Sequence, residues 1–337
     1  LTIWRRAELW GDVMDDHGEP VVGVGLQVLE RSTVSGRELF VTRGTTTTDD
    51  RGEFHAWNLP PGHYVLALPS VSVAVPAGFS VQDLTRTATS ALGRQIPALI
   101  DLLGASDSLR TQRVGGFAVQ VMGRGPTPPP LSQNQSYPTI FYPSSASPGF
   151  ADEILLRSGE TRGGLQLRLT LSHAVQIAGT VTNDDGPMSE LVVRLPPSTA
   201  AELMSDIGFE TAVSLTDKAG RFLFVGVPEG RYTVRVMHRT SRNVAGTQPG
   251  VATVPIFTLK WIQQDLLVNG TNMASLELRL RDGLNVGGMV SFLDADRTTA
   301  RAKTAAIGLV LEPADGRPRD LPVVQPNPDG RFDFSGI

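Results

Sequence analysis

The side chains best suited to bind a ligand lie close together in one short segment: His55, Trp57 and His63. If alternate residues such as Phe54 and Tyr64 point into a core, these three point to the opposite face. An exposed tryptophan flanked by imidazoles could stack on a sugar or anchor a protein partner. The alternative, which the all-β pattern favours, is structural, with Trp57 packed under the long insertion or against a neighbouring domain. The sequence therefore predicts a candidate binding face at His55, Trp57 and His63.

Catalytic and metal-binding motifs are absent from the sequence. The five histidines form neither the HExxH pattern nor the HxxE pair of zinc peptidases. The chain contains no cysteine, which excludes disulfides, a thiolate nucleophile and a cysteine-based zinc site. The GxSxG motif of serine hydrolases and the GxxxxGK(S/T) phosphate loop do not occur either. We therefore predict a protein that is not an enzyme and that uses no cofactor.

Three acidic pairs stand in turns beside glycine: Asp15-Asp16, Asp49-Asp50 and Asp184-Asp185. Clustered carboxylates can bind calcium together with backbone carbonyls. An aspartate before glycine also stabilises a turn through local hydrogen bonds, and no run in this chain has the ligand spacing of a calcium loop. We therefore interpret the pairs as turn residues and predict no metal site.

The charge balance argues against nucleic acid as a partner, because the formal net charge of the 337 residues is −4. An uncharged run at residues 64–82 is long enough to cross a membrane. Pro69 and Pro76 interrupt it, so we interpret it as two strands and a turn and expect no direct membrane insertion. No charged-then-apolar leader precedes the first strand, and we expect any export signal to have been removed or to lie outside the sequence.

The candidate face belongs to residues 48–68, the segment around which the chain is organised. It combines an Asp-Asp-Arg-Gly turn, alternating apolar residues, a Pro-Pro-Gly corner and a second alternating run. This pattern predicts a β-hairpin with one buried face.

The same pattern recurs twice. Residues 216–232 repeat the Thr-Asp, Gly and Phe positions and the Pro-x-Gly-x-Tyr corner, and residues 327–332 repeat the turn with asparagine in place of aspartate. We therefore predict an all-β chain of tandem antiparallel β-sandwich domains with little helix. The predicted domains are unit 1 at residues 1–171, unit 2 at 172–280 and unit 3, incomplete at its C-terminal end, at 281–337.

Unit 1 carries a predicted insertion at residues 82–150 that breaks the rhythm of strands. Residues 94–103 have a weak helical spacing. Residues 123–148 are rich in Pro, Ser and Gln, which predicts an extended connection over the surface rather than a core element. We expect Phe141 and Tyr142 to fix this connection to the sandwich.

The sequence of unit 3 stops at Ile337, before the position of the expected corner and return strand. A sandwich without that strand would leave a row of unpaired backbone groups. We therefore expect either that the protein continues beyond the given residues or that another chain supplies the strand. The second case would be self-association by strand addition.

These motifs resemble the carboxypeptidase regulatory-like domain, through Gly11-Asp12-Val13, Thr48-Asp49, Gly52-Glu53-Phe54 and Leu59-Pro60-Pro61-Gly62-His63-Tyr64. The resemblance implies a transthyretin-like (prealbumin-type) sandwich, an Ig-like arrangement of strands. It also implies a non-catalytic accessory or spacer role in secreted or cell-surface proteins of bacteria.

Two functions remain open on the sequence. The first is an extracellular structural or scaffold protein that assembles through strand addition. The second is a carbohydrate- or protein-binding accessory module of a larger surface protein, receptor or peptidase, using the Trp57 face or the loop at residues 137–142. The expected partners are accordingly further copies of the chain, other surface proteins or a glycan.

Overall fold

A computed structural model of the chain describes residues 5–34, 36–79, 111–203, 208–245, 253–292, 307–311 and 323–334. Regular structure in these ranges is almost entirely β-strand, and the helices are short 3-10 turns at Leu131–Gln133, Pro148–Phe150 and Ser198–Glu202. None of the helices in the described ranges has the length and apolar character needed to span a membrane. The prediction of an all-β fold with little helix is confirmed, while the weak helix predicted at residues 94–103 lies outside the described residues.

Unit 1 is a sandwich of two sheets. The first has the strand order β12-β1-β4, formed by β1 (Ala7–Asp15), β4 (Glu53–Leu59) and β12 (Thr161–Leu169). The second has the order β10-β5-β2-β3, formed by β2 (Gly25–Val34), β3 (Arg37–Thr47), β5 (Gly62–Leu68) and β10 (Ile140–Phe141), with β11 (Ile154–Leu156) also paired to β5. The alternating leucines of β12 lie in the core between the sheets.

The segment at residues 48–68 is not a hairpin, because its two strands lie in different sheets. β4 pairs with β1, whereas β5 pairs with β2. Pro60 and Pro61 at the corner have no N–H group to donate across a hairpin, and the chain crosses there from one sheet to the other. Phe54 and Tyr64 consequently enter the same core from opposite sides.

Unit 2 repeats this arrangement. One sheet contains β13 (Ser172–Asn183), β14 (Gly186–Pro187), β17 (Arg221–Pro228) and β20 (Met273–Arg279). The facing sheet contains β15 (Val192–Leu195), β16 (Ala212–Leu215), β18 (Gly230–Ala245), β19 (Thr253–Val268) and β21 (Arg281–Asp282). The chain again changes sheets at the corner between β17 and β18, so the two copies share one topology.

The closing strand of each unit runs parallel to the first strand, β12 to β1 and β20 to β13. The sandwiches are therefore mixed, not antiparallel throughout as the sequence predicted. Most of the unit separates these paired strands in the chain, which supplies the long crossover that parallel pairing requires. Glycine permits the close approach, since a Cβ on Gly11 would collide with the carbonyl oxygen of Leu165, and one on Gly179 with that of Leu276.

Strands from unit 1 and its insertion extend the sheet of unit 2. They are β6 (Ser72–Pro76), β7 (Gln112–Val114) and β8 (Phe117–Val121). β6 pairs in parallel with β16, which gives one eight-stranded sheet in the order β21-β19-β18-β15-β16-β6-β8-β7. The insertion also contributes β9 (Gln135–Ser136), which pairs with β13. Units 1 and 2 thus share hydrogen-bonded structure.

The prediction that residues 123–148 lie over the surface is wrong for Ile140 and Phe141, which are 4% and 3% exposed. Phe141 packs with residues of both units, including Leu29 and Phe209, and Tyr142 packs against the core of unit 1. The expectation that Phe141 and Tyr142 fix the insertion is therefore confirmed. Burial of these apolar side chains stabilises the contact between the insertion and the two units.

Unit 3 is described as two paired strands, β22 (Val286–Met289) and β23 (Arg331–Phe334). Phe332 packs on Gly288, as Phe222 packs on Gly179 in unit 2. Phe332 is half-buried, and no facing sheet is present among the described residues of this unit.

Candidate functional site

The candidate face lies on the outer side of the β12-β1-β4 sheet. Phe54 and Ala56 of β4 are buried, whereas His55 and Trp57 alternate with them and are exposed. Trp57 is 66% exposed, and its ring meets that of His55 edge-on with 5.6 Å between centroids. His55 Nε2 lies 3.1 Å from Glu8 Oε2 on β1. No part of the described chain buries Trp57, and residues 80–110 of the insertion, part of the cover expected in the packing alternative, lie outside the described residues.

His63 does not belong to this face. It lies on β5 in the other sheet, opposite Leu155 of β11. Its Nδ1 is 3.3 Å from Glu153 Oε2, and the other oxygen of Glu153 is 3.1 Å from Arg31 Nε. The structure therefore brings His55 and Trp57 together and separates His63, because the segment changes sheets at its Pro-Pro-Gly corner.

Trp10 is a member of this face that the sequence analysis missed. It lies on β1 directly opposite His55 and is 49% exposed. Its indole rests against the bare backbone of Gly163 on β12, at the place where any side chain would have its Cβ. The absence of a side chain at Gly163 thus lets the Trp10 indole pack directly on the backbone of β12, while about half of the Trp10 side chain stays exposed.

Hydrogen-bonding groups surround the two indoles. Glu8 and Asp12 flank Trp10 along β1 on the same side of the sheet, since side chains of a strand alternate. Gln166 Nε2 donates to Asp12 Oδ2 at 2.9 Å. We call Trp10, His55 and Trp57, with their rim of Glu8, Asp12 and Gln166, the tryptophan face.

The corresponding face of unit 2 is apolar and covered. Ala178, Leu223 and Val225 occupy the places of Trp10, His55 and Trp57, since Ala178 pairs with Leu223 as Trp10 pairs with His55. Leu223 and Val225 are 7% and 3% exposed. They form one cluster with Ala74 of β6 and with Phe117 and Val119 of β8.

The acidic turns are held by local hydrogen bonds. Asp49 Oδ1 accepts from the backbone N–H groups of Arg51 and Glu53, each at 2.9 Å. These two bonds, that of Arg51 first, lower the pKa of the Asp49 carboxyl. Asp217 and Asn327 accept the corresponding pairs of bonds in units 2 and 3. The contacts at Asp49 are those of a turn, as the sequence analysis expected, whereas Asp184 Oδ1 lies 2.6 Å from Arg279 Nη2 of β20.

Among the described residues, a group with metal-ligating side chains lies at Asp15, Asp16 and His17. Asp15 Oδ1 accepts from the N–H groups of His17 and Glu19, each at 2.9 Å, and His17 Nδ1 lies 2.9 Å from Asp16 Oδ1. The cluster is at the surface and its geometry is that of the other turns. It supports no metal assignment.

The second loop singled out from the sequence, residues 137–142, lines a cleft of about 190 Å³ between units 1 and 2. Tyr137 and Phe141 line one side, and Arg231 and Tyr232 of unit 2 line the other. Phe141 stacks on Phe209 with 6.1 Å between centroids and 14° between planes. The loop is thus part of the contact between the two units.

No protein-family model and no curated protein matches the chain. The solved structures to which the chain shows a distant similarity include the streptococcal ancillary pilin, at 11% identity and a TM-score of 0.24, over 83% of this chain and 63% of that one. The shaft pilin SpaA of Lactobacillus rhamnosus GG is 9% identical, with a TM-score of 0.19, over 84% of this chain and 100% of that one. The major pilin subunit of Bacillus cereus is 8% identical, with a TM-score of 0.23, over 81% of this chain and 99% of that one. At these values the function of the chain has to be argued from its own residues.

Proposed function

We propose that the chain is a non-catalytic structural protein of the cell surface or extracellular space, in which tandem β-sandwich units act as a spacer or scaffold. One observation carries the proposal: β6 of unit 1 is hydrogen-bonded to β16 of unit 2 and makes the sheet continuous between them. A spacer transmits a fixed distance only if its units keep a fixed orientation. A shared sheet provides this more firmly than a flexible linker does.

Apolar packing between the units supports the same role. Leu29, Val65 and Ala67 on the outer side of the second sheet of unit 1 are covered by Phe141 and by Ala200, Leu203 and Phe209 of unit 2. Beside them Arg194 and Glu210 form an ion pair, and Glu210 also accepts from the N–H of Gly208 at 2.7 Å. This ion pair orders the segment that presents Phe209.

We assign the units to the carboxypeptidase regulatory-like, transthyretin-like type on their shared local geometry. The turns at Asp49, Asp217 and Asn327 accept the same pair of backbone hydrogen bonds. Tyr64 and Tyr232 donate to the carbonyl oxygens of Pro60 and Pro228, each four residues earlier. The division into units at 1–171, 172–280 and 281–337 and the bacterial surface location belong to this assignment.

Self-association is part of the proposal, with unit 3 as the contact. Leu284, Val286 and Met289 are 75%, 43% and 67% exposed at or beside the two strands that the structure describes for this unit. Pairing with a strand of a second copy would extend these strands and bury part of that apolar surface.

A second candidate function is an accessory module that binds a carbohydrate or a protein. The exposure of Trp57 beside His55, in a position that is covered in unit 2, supports it.

Small-angle scattering of the purified chain tests the spacer role. We expect a scattering curve that fits one rigid arrangement of units 1 and 2. Val73→Pro should break β6 and increase the radius of gyration, because proline removes a ladder hydrogen bond from a central strand. Thr127→Pro, at an exposed non-strand position of the insertion, is the control for the proline substitution itself. Wild-type scattering that requires many relative orientations would rule out a rigid spacer.

Sedimentation velocity over a range of concentrations tests self-association. We expect larger species as concentration rises, and Met289→Lys should reduce them. A chain that stays monomeric throughout would remove self-association from the proposal and leave the rigid spacer to be judged by scattering.

A further inference from the structure

Two exposed indoles lie on the outer sheet face of unit 1. Trp10 rests on the backbone of Gly163, and Trp57 meets His55 edge-on while His55 is paired with Glu8. Trp10 is opposite His55, and Trp57 is two residues further along β4. The two tryptophans are thus diagonal neighbours, with about 7–8 Å between their backbone positions.

The rim of the tryptophan face indicates the chemistry of its ligand. Glu8 and Asp12 offer carboxylate oxygens that accept hydrogen bonds, and His55 and Gln166 offer ring nitrogens and an amide. The negative face of an indole attracts the weakly positive C–H groups of an apolar ring surface. A ligand with apolar C–H faces and a hydroxylated edge satisfies both the indoles and the rim.

The covered face of unit 2 shows which side chains a sheet face carries when other strands of the protein pack over it. There Leu223 and Val225 meet Phe117 and Val119, and the uncharged Gln176 and Thr180 take the places of Glu8 and Asp12. Placing a similar layer over unit 1 would bury Glu8 and Asp12, and burying charges costs more than the apolar contact returns. A hydroxylated ligand leaves these carboxylates hydrogen-bonded, so the rim disfavours an apolar protein layer.

We propose that the tryptophan face binds a neutral oligosaccharide, with Trp10 and Trp57 as stacking surfaces for successive sugar rings and the rim accepting hydrogen bonds from hydroxyl groups. The inference rests on the binding role given above as the second candidate function. It narrows that role to a ligand class and adds Trp10 and Gly163 to the site.

Titration calorimetry and tryptophan fluorescence on the full chain test the proposal. The probes are neutral disaccharides and trisaccharides of glucose, mannose, galactose and N-acetylglucosamine, together with oligogalacturonate as a negatively charged counterpart. We expect at least one neutral oligosaccharide to bind at up to millimolar concentration, and the oligogalacturonate to bind more weakly because Glu8 and Asp12 repel it.

Three variants and one control locate the site. Trp57→Ala and Trp10→Ala should each weaken binding about tenfold or more. Gly163→Ala keeps both indoles but places a Cβ where the Trp10 indole lies. The indole must then move, so this variant should also weaken binding. Phe150→Ala removes an aromatic side chain that is 86% exposed outside the face and should leave affinity unchanged. Unchanged melting temperatures show that each variant folds.

The outcomes separate this inference from the proposed functions. No binding of any neutral oligosaccharide, or binding that all three site variants leave unchanged, overturns it. A protein ligand lost in Trp57→Ala, with no saccharide bound, would overturn the saccharide inference and keep the second candidate function. Neither result affects the spacer role, which scattering tests separately.

Discussion

The outer faces of the first sheets in units 1 and 2 occupy the same place in the fold and differ in what covers them. In unit 2 the face carries Leu223 and Val225 and lies beneath β6 and β8. In unit 1 it carries His55 and Trp57 and is exposed. The repeated motif determines the core of each copy. The residues on the outer face differ between copies: those of unit 2 pack against strands of unit 1 and its insertion, and those of unit 1 stay exposed.

The largest effect should come from placing a charge at equivalent positions of the two faces. Val225→Asp puts a carboxylate into the buried layer, and we expect a loss of about 3 to 5 kcal/mol in unfolding free energy. Trp57→Asp places the same charge at an exposed position and should cost less than about 1 kcal/mol. Urea unfolding followed by circular dichroism measures both. Equal losses would mean that the two faces do not differ in burial.

The structural elements that the copies share could be predicted from the sequence. The Asp/Asn-x-x-Gly-x-Phe pattern located all three turns, because an aspartate or asparagine oxygen at that place can accept two backbone N–H groups and glycine adopts the positive φ that follows. The inward alternation of β4 was also predicted correctly, since a period of two is directly visible in a sequence.

The sequence could not supply contacts between distant segments. A corner that joins two strands of one sheet and a corner that joins two sheets have the same turn residues, so His63 was grouped with the wrong face. Trp10 alternates with the inward Leu9 and Gly11, which marks it as outward, but its position beside His55 depends on the pairing of β1 with β4. The pairing of β6 with β16 likewise joins residues far apart in the chain, and no local pattern specifies it.

High pH should destabilise units 1 and 2 over the same pH range, because each unit buries an equivalent tyrosine in its core although their outer sheet faces differ. Burial raises the pKa of Tyr64 and of Tyr232 to about 12. Tyrosine in the unfolded chain ionises near pH 10. Each buried neutral tyrosine therefore makes its full contribution to the free energy of unfolding below about pH 10, and that contribution is lost as the pH rises through about 12. We expect a loss on the order of 2 kcal/mol for each tyrosine.

Melting temperatures recorded between pH 8 and pH 12 measure this loss, and absorbance of ionised tyrosine reports the titration. A melting temperature that stays constant to pH 12 would contradict the burial of the two hydroxyl groups.

Removing the same hydroxyl groups at neutral pH should have a smaller effect. Tyr64→Phe and Tyr232→Phe each remove one hydrogen bond, of 2.7 Å to Pro60 and of 2.9 Å to Pro228. We expect each change to cost about 1 kcal/mol in unfolding free energy. Thermal unfolding of both variants measures the two losses in unfolding free energy. Strongly unequal losses would show that the two corners are not equivalent.

The smallest effect should come from Asp49→Asn. Asparagine keeps the side-chain oxygen that accepts from Arg51 and Glu53, as Asn327 does in unit 3. We therefore expect an unchanged melting temperature at neutral pH. Asp49→Ala removes the acceptor and is the control that should lower it. A lower melting temperature in Asp49→Asn would mean that the charge, not the turn geometry, matters at this position.

A spin-label distance across the two units tests the account most directly. The chain has no cysteine, so Arg51→Cys with Lys218→Cys, at exposed positions of the equivalent turns, gives one labelled pair. Double electron-electron resonance should yield a single narrow distance distribution in the wild-type background and a broad one when Val73→Pro is added. A broad distribution in the wild-type background would contradict the claim that a shared sheet holds units 1 and 2 as one rigid body.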